Sequence, residues 1–408
     1  MGQPFRRFFQ QKIFQRIFLV AFGLLIAAIL VEILGRATHY LPTPPSDAYI
    51  RLTSAIGPLP DPASRSYNHS STDEYNLWLD FNALGFRDPK LDFSNPAGSQ
   101  ATHILVIGDS YTSAWQVPLD QRWTEKMMAL HPGWETLNLG MPNWGTDQEY
   151  LTYQNYPLAQ DPDIVLLMFF AGNDVSDNNT LLLLGQAPNR PYFIPDTLPA
   201  LKEIPWTYTN PFDLPARAPF PANVRGWLHN NSVVYFGISR IWNNLHNTAP
   251  VPASNPGDST SAPHLPTELH VFDKHYTPDW ETGWKVTDLL LNNIQQLTLT
   301  RGARFVIVMV PFYATVESSL TPAYIAANAA TLDLSKPYQH MADFAKTANI
   351  PLLDLTSGFA QFYANDPQHR DLFFQADKHF TPLGNCLAGV LISNWLDPKL
   401  AKDAQSCP

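Results

Sequence analysis

Charge and sulfur are scarce in this chain. Asp, Glu, Lys and Arg make up 15% of the 408 residues, and the net charge is −10. A nucleic-acid surface needs a basic stripe, and no run of Lys and Arg stands out beyond the N-terminus. Nucleic acid is therefore excluded as a partner. The two cysteines, Cys386 and Cys407, form no CxxC pair, so no zinc or redox motif is visible. Their spacing leaves two thiols and a disulfide closing the C-terminus equally open. No internal repeat appears, and no continuous lipid-binding apolar run follows residue 34. His270, Asp273 and His275 in HVFDKH match no ligand spacing. Neither metal nor cofactor is expected.

Apolar residues reach 45%, which suits a packed core rather than disorder. The 37 prolines are largely grouped, so long irregular excursions are expected. At the N-terminus, Arg6, Arg7, Lys12 and Arg16 precede the uncharged run IFLVAFGLLIAAILV, 17 to 31, with Glu32 close behind. Ile17 to Leu34 has the length of a transmembrane helix. Basic residues ahead of it favour a cytoplasmic N-terminus and an exported remainder. VEILGRATHYLP offers no A-x-A-like cleavage site, so an uncleaved anchor is expected.

The expected organisation is a tail over 1–16, an anchor over 17–34, and a linker and extension over 35–100. A catalytic domain follows over 101–396, then a C-terminal tail over 397–408. Within the domain, HILVIG (103–108), ETLNLG (135–140), DIVLLMFF (163–170), RFVIVMVP (304–311) and IPLLDL (350–355) read as strands. DIVLLMFF is apolar on both faces, as in a parallel sheet covered by helices. Helices are expected over 119–131, over 146–158 with Thr146 as cap, from Thr277-Pro278 onward, near 336–348 and over about 382–396. Residues 175 to 276 read as irregular, with APVPASNPGDSTSAPHLP (249–266) a flexible excursion. Five alternations of strand and helix mean a doubly wound α/β sheet with one long insertion.

In such a sheet the ligand crevice lies beyond the carboxyl ends of the strands. The first strand ends at Gly108-Asp109-Ser110, the second in NLGMPNWGTDQ (138–148), and the third in AGND (171–174). Asp377 and His379 lie just before the last helix. A serine hydroxyl needs a base, and a histidine serves when a carboxylate fixes its tautomer. An oxyanion needs donors; the Ser110 N–H, one N–H from the 140–146 loop and the Asn173 amide stand at the right edge. Ser110 also reads as the N-cap of the helix that it opens.

These blocks resemble the SGNH/GDSL hydrolases: a GDS serine, a loop glycine, a GxND asparagine and an Asp–His pair. The resemblance covers about residues 103 to 396 with the insertion set aside. It implies a five-stranded parallel sheet of flavodoxin-like type, with Ser110 as nucleophile, His379 as base and Asp377 as its partner. Asn173 would be an oxyanion donor. Two positions depart from the pattern. Asn143 stands where the second block has glycine, and its N–H remains a donor because Asn tolerates left-handed geometry; Gly140 and Gly145 are the alternatives. Ala171 replaces the third block's glycine. The anchor and NALGFRD (82–88) resemble membrane-tethered bacterial members. The function expected is an extracytoplasmic ester hydrolase that removes a small O-acyl group such as acetyl from a glycan. An O-acyltransferase with the same triad and a non-catalytic glycan-binding protein are the alternatives.

Overall fold

The computed structural model describes residues 3–38, 50–94 apart from 54, 55, 61, 64 and 71, 101–178, 190–205 apart from 197–199, 232–235, 265–400, and the single positions 182, 238 and 407. The chain divides into two compact units, Met1–Ala48 with Thr209–Pro256, and Tyr49–Tyr208 with Gly257–Pro408.

In the first unit, helix α1 runs from Gln3 to Thr38. Its described apolar side chains, among them Phe18, Leu19, Leu24 and Leu34, are exposed. Among the described residues no helix is long and apolar enough to cross a membrane. The segment expected to span, 17–34, is thus helical throughout, while the span itself is not shown. Its acid has a local task. Glu32 Oε2 accepts from Ser232 Oγ at 3.0 Å and from the Val234 N–H at 3.1 Å.

The second unit opens with two antiparallel hairpins, β1 (Ile50–Thr53) with β2 (Gly57–Pro60), and β3 (Arg65–His69) with β4 (Asn76–Asp80). Five parallel strands follow in chain order: β5 (Thr102–Gly108), β6 (Trp134–Asn138), β7 (Ile164–Phe169), β10 (Arg304–Met309) and β11 (Leu352–Asp354). Between β7 and β10 lies a third hairpin, β8 (Tyr192–Pro195) with β9 (Leu201–Ile204). The parallel sheet is ordered β11-β10-β7-β5-β6. Ile104 to Ile107 and Val165 to Phe169 are fully buried, as strands covered by helices on both faces must be. The chain leaves β5 toward β6 on one side and returns to β7 on the other. The topological switch point therefore lies between β5 and β7, where a doubly wound sheet forms its crevice. Gly108 pairs with Met168 across that gap, so the two strands end level.

The helices are α2 (Ser110–Ser113), α3 (Trp123–Leu130), α4 (Thr146–Asn155), α5 (Asp174–Asp177), α6 (Pro278–Thr300), α7 (Tyr313–Val316), α8 (Ala323–Ala327), α9 (Lys336–Ala348), α10 (Thr356–Asn365) and α11 (Pro382–Leu396). Helix α11 packs on α3, and α6 on α4. Sequence patterning locates α6, α9 and α11 closely. It misses α7, α8 and α10, and Gly145 rather than Thr146 is the cap residue of α4. The stretch expected to be irregular from 175 to 276 contains the hairpin β8–β9 and a 3-10 turn at Thr267–Phe272. Residues 206–231 and 239–264, with nearly all of APVPASNPGDSTSAPHLP, lie outside the described residues. Cys386 and Cys407 are joined in a disulfide, with Cα atoms 5.8 Å apart. That resolves the alternative that their spacing left open.

Residues 82–90 are not linker but buttress. The buried Arg87 guanidinium donates to the carbonyls of Ser113, Ala114 and Val117, which closes the end of α2. Burial, with Arg122 beside it, brings Arg87 down to about 9. Arg122 is held in turn by Asp88, 3.2 Å away, and Asp88 Oδ2 also accepts the Asn138 N–H at 3.0 Å. A single-turn helix of four residues has no stability of its own. This polar brace supplies it.

Candidate active site

Strand β5 delivers Gly108, Asp109 and Ser110 to the switch point. The glycine is required by close approach: a Cβ there would stand 2.8 Å from the Met168 carbonyl, closer than real Cβ atoms come. The expected cap is displaced by one residue. Asp109, not Ser110, is the N-cap of α2, and its Oδ1 accepts the Tyr111 N–H at 2.8 Å. Both residue types cap well, and the aspartate takes the role. The serine hydroxyl is thereby free of the helix end.

That hydroxyl meets His379. Ser110 Oγ lies 2.7 Å from His379 Nε2, and His379 Nδ1 lies 2.5 Å from Asp377 Oδ1. Asp377 and His379 are two residues apart, and Lys378 between them adopts a left-handed backbone with φ of 71°. This turn points both side chains the same way. The His379 ring packs beside Tyr111, centroids 4.8 Å apart. The Tyr111 hydroxyl, on the helix that carries the serine, donates to the Lys378 carbonyl at 3.0 Å. Burial pushes the Asp377 carboxyl up, but hydrogen bonds and charge from His379 and a bond from Tyr75 outweigh it and hold it below its ordinary value. An ionised partner for the imidazole is what a Ser–His–Asp arrangement requires.

The residues expected to donate to an oxyanion follow the ends of β5, β6 and β7. Ser110 is the first helical residue of α2, and no acceptor among the described residues takes its N–H. Asn143 has φ of 62°, the geometry in which the second block ordinarily has glycine, and its N–H is likewise untaken among the described residues. Gly140 does not serve, because its N–H donates to Asn138 Oδ1 at 2.9 Å. Gly145 packs toward α5, where a Cβ would stand 2.8 Å from Asn178 Oδ1. Asn173 precedes α5. Its amide spends one proton on Asp177 Oδ2 at 3.2 Å and keeps the second.

Beneath these donors sits a group of buried carboxyls that sequence patterning does not reveal: Asp109, Asp147 and Glu149 at the start of α4, and Asp174 and Asp177 on α5. Both Glu149 oxygens lack a hydrogen-bond partner among the described residues. Arg190 is the cation facing them, 3.5 Å from Asp147. Burial, and then mutual repulsion, lifts Glu149 and Asp174 well above the carboxylate range. Burial raises Asp177 to about 7 against the pull of Arg190, and Asp109 to about 6. Helix N-termini favour negative charge, but not this much in so little water. His270 contacts Asp273 at 2.7 Å, and among the described residues no group of acids, histidines and cysteines is arranged to hold a metal ion.

Two further residues reach the site from the N-terminal extension. The Tyr75 hydroxyl donates to Asp377 Oδ2 at 2.7 Å. The Glu74 carboxylate accepts the N–H groups of Ala376 and Asp377 at 2.8 and 3.0 Å.

A parallel doubly wound sheet with serine, histidine and aspartate joined beyond the ends of its strands is the arrangement that the SGNH/GDSL resemblance implies. Residues 275–405 match the family model described as the SGNH hydrolase-like domain of acetyltransferase AlgX. Over that stretch the chain is similar to SGNH hydrolase-like proteins. No curated protein matches it. Among solved structures it is similar to the acetyl xylan esterase AlAXEase, at 11% identity and a TM-score of 0.34, covering 72% of this chain and 98% of that one. It is also similar to a G-D-S-L family lipolytic protein from Veillonella parvula DSM 2008, at 12% identity and a TM-score of 0.34, covering 73% and 98%.

Proposed function

We propose that the chain is a serine enzyme of esterase type that works through an acyl-enzyme at Ser110 and takes a small O-acyl group, such as acetyl, from a glycan. The observation that carries this reading is the continuous line from Ser110 Oγ through His379 to Asp377, at 2.7 and 2.5 Å. In the first step Ser110 Oγ bonds to the ester carbonyl carbon as its proton passes to His379 Nε2. The oxyanion that forms lies toward the Ser110 and Asn143 N–H groups and the Asn173 amide. The carbon–oxygen bond to the alcohol then breaks, and the alcohol leaves with the proton from His379. Water, deprotonated by the same imidazole, releases the acid and restores Ser110.

A second reading has a specific observation in its favour. The matched family model is described by the name of an acetyltransferase, and a glycan hydroxyl replaces water in the second half of the same scheme without any new residue. The two divide on the acceptor alone. The full chain treated with a fluorophosphonate is expected to gain one adduct by intact mass. Ser110→Ala and His379→Ala are expected to gain none. Acetyl ester turnover with and without oligosaccharide acceptors, read as free acetate against acetylated sugar, then separates hydrolase from transferase. An unlabelled, folded wild type overturns the enzymatic reading in favour of glycan binding.

We also read residues 17–34 as an uncleaved membrane anchor with the catalytic unit outside the cytoplasm. The uncharged run, its basic flank and the exposed side chains of α1 support this. The Cys386–Cys407 bond supports an oxidising compartment. Retention in the membrane pellet after alkaline carbonate extraction tests it; release into the supernatant overturns it.

A further inference from the structure

The acid of the triad is held by the far end of the chain. The hairpin β3–β4 turns at residues 70–75, closed by the Ser70 N–H donating to the Tyr75 carbonyl at 2.9 Å and the Asp73 N–H to the Ser70 carbonyl at 3.2 Å. Asp73 adopts a left-handed backbone, φ 59°. That turn brings Glu74 and Tyr75 onto the loop 302 residues later. Asp377 Oδ1 is occupied by His379, through the ring at 2.5 Å and the backbone N–H at 3.3 Å. Asp377 Oδ2 takes the Tyr75 hydroxyl. With two directed donors on opposite oxygens, the carboxylate has one orientation left. Glu74 meanwhile bridges two successive backbone N–H groups, a charge-assisted pair, and so fixes the loop at the residue that carries the acid.

We propose that Glu74 and Tyr75 are positioning residues of the active site, setting the orientation of Asp377 and, through it, the basicity of His379. This rests on the serine-enzyme reading above for its consequence in catalysis, but not for its geometry. The Tyr75 ring meets Phe374 edge-on, centroids 5.3 Å apart, so a phenylalanine keeps the packing and loses only the donor. Burial and the neighbouring Asp377 raise the Tyr75 hydroxyl beyond its ordinary range, so it remains a donor throughout the working pH range. The other groups facing the pair are Asp109, 3.5 Å from Ser110 Oγ, Tyr111 from α2, Lys378, and Tyr313 from α7, over whose ring the Lys378 ammonium lies at 5.5 Å. Tyr75→Phe leaves all of them in place.

Loss of the donor makes the Asp377 carboxylate more basic and the imidazolium form of His379 more stable. The test is the imidazole titration of His379 in the full chain, followed by NMR of histidine-labelled protein, in wild type, Tyr75→Phe and Glu74→Gln. The expected result for Tyr75→Phe is a His379 titration moved to higher pH by about half a unit, in a protein that stays folded with a modestly lower melting temperature. In a working enzyme the acid limb of kcat/KM moves by the same amount, and kcat falls about tenfold. Glu74→Gln is expected to broaden the His379 resonance as the loop gains freedom. A titration unmoved by Tyr75→Phe overturns the proposal, whatever the activity. Absence of fluorophosphonate labelling in wild type overturns the enzymatic reading instead, so the two failures are distinguishable.

Discussion

Acidification from pH 8 to pH 6 should stabilise this protein. The perturbation acts on the buried carboxyls under the site. In an unfolded chain such groups ionise near pH 4; in the fold Asp177 is raised from 3.8 to about 7 and Asp109 to about 6. Ionising Asp177 in the fold is thus disfavoured by about 4 kcal/mol relative to the free chain. Because the folded state binds more protons than the unfolded state across this window, stability falls as pH rises. Moving from pH 8 to pH 6 returns about 1 kcal/mol through Asp177 and a smaller amount through Asp109. Glu149 and Asp174, held higher still, act in the same direction. Asp377, whose carboxyl is lowered, loses its contribution only on the acid side of this window. A gain of about 2 kcal/mol or more is expected. Urea unfolding at both pH values, followed by tryptophan fluorescence, measures it. Glu149→Gln, which cannot ionise, should raise the midpoint at pH 8 and flatten the pH dependence. Equal or greater wild-type stability at pH 8, together with a destabilised Glu149→Gln, would refute the reasoning.

If Asn173 serves the oxyanion as proposed, Asn173→Ala should lower kcat by about 10²–10³ with little change in KM, because such a donor acts on charge that exists only in the transition state; steady-state kinetics on acetyl esters checks this. Reduction of Cys386–Cys407, or Cys407→Ser, should cost about 3 kcal/mol, from the loop of 21 residues that the bond closes. Denaturant midpoints with and without reductant read that loss, and unchanged midpoints count against it.

The sheet was legible because parallel strands buried on both faces appear as uninterrupted apolar runs, and HILVIG and DIVLLMFF are such runs. The same reading led to Ser110, Asn173, Asp377 and His379 as candidates, since a doubly wound topology brings its strand ends together. What patterning missed was too short or too distant. Helices α7 and α8 have four and five residues, less than two turns, so they carry no readable period. The cap of α2 was misassigned because Asp109 and Ser110 are equally good caps on adjacent positions. Arg87, Glu74 and Tyr75 lie in a stretch whose composition resembles a linker. Their partners are carbonyls, backbone N–H groups and a carboxylate far along the chain, and no local spacing marks such partners. Glu149 lies in the first turn of α4, where an acid is ordinary, and only its burial in the fold sets it apart.

The order in which the ribosome releases these parts has its own consequence. Ser110 and His379 are separated by 269 residues, and chains emerge N-terminus first. For most of synthesis the serine therefore exists without a base, and the hairpin that grips the acid has nothing to grip. A chain stopped anywhere before His379 holds Ser110 without its imidazole, however well its sheet has begun to form. The contact between Ser110 and His379 forms only once the loop carrying His379 has emerged, after all five strands of the sheet.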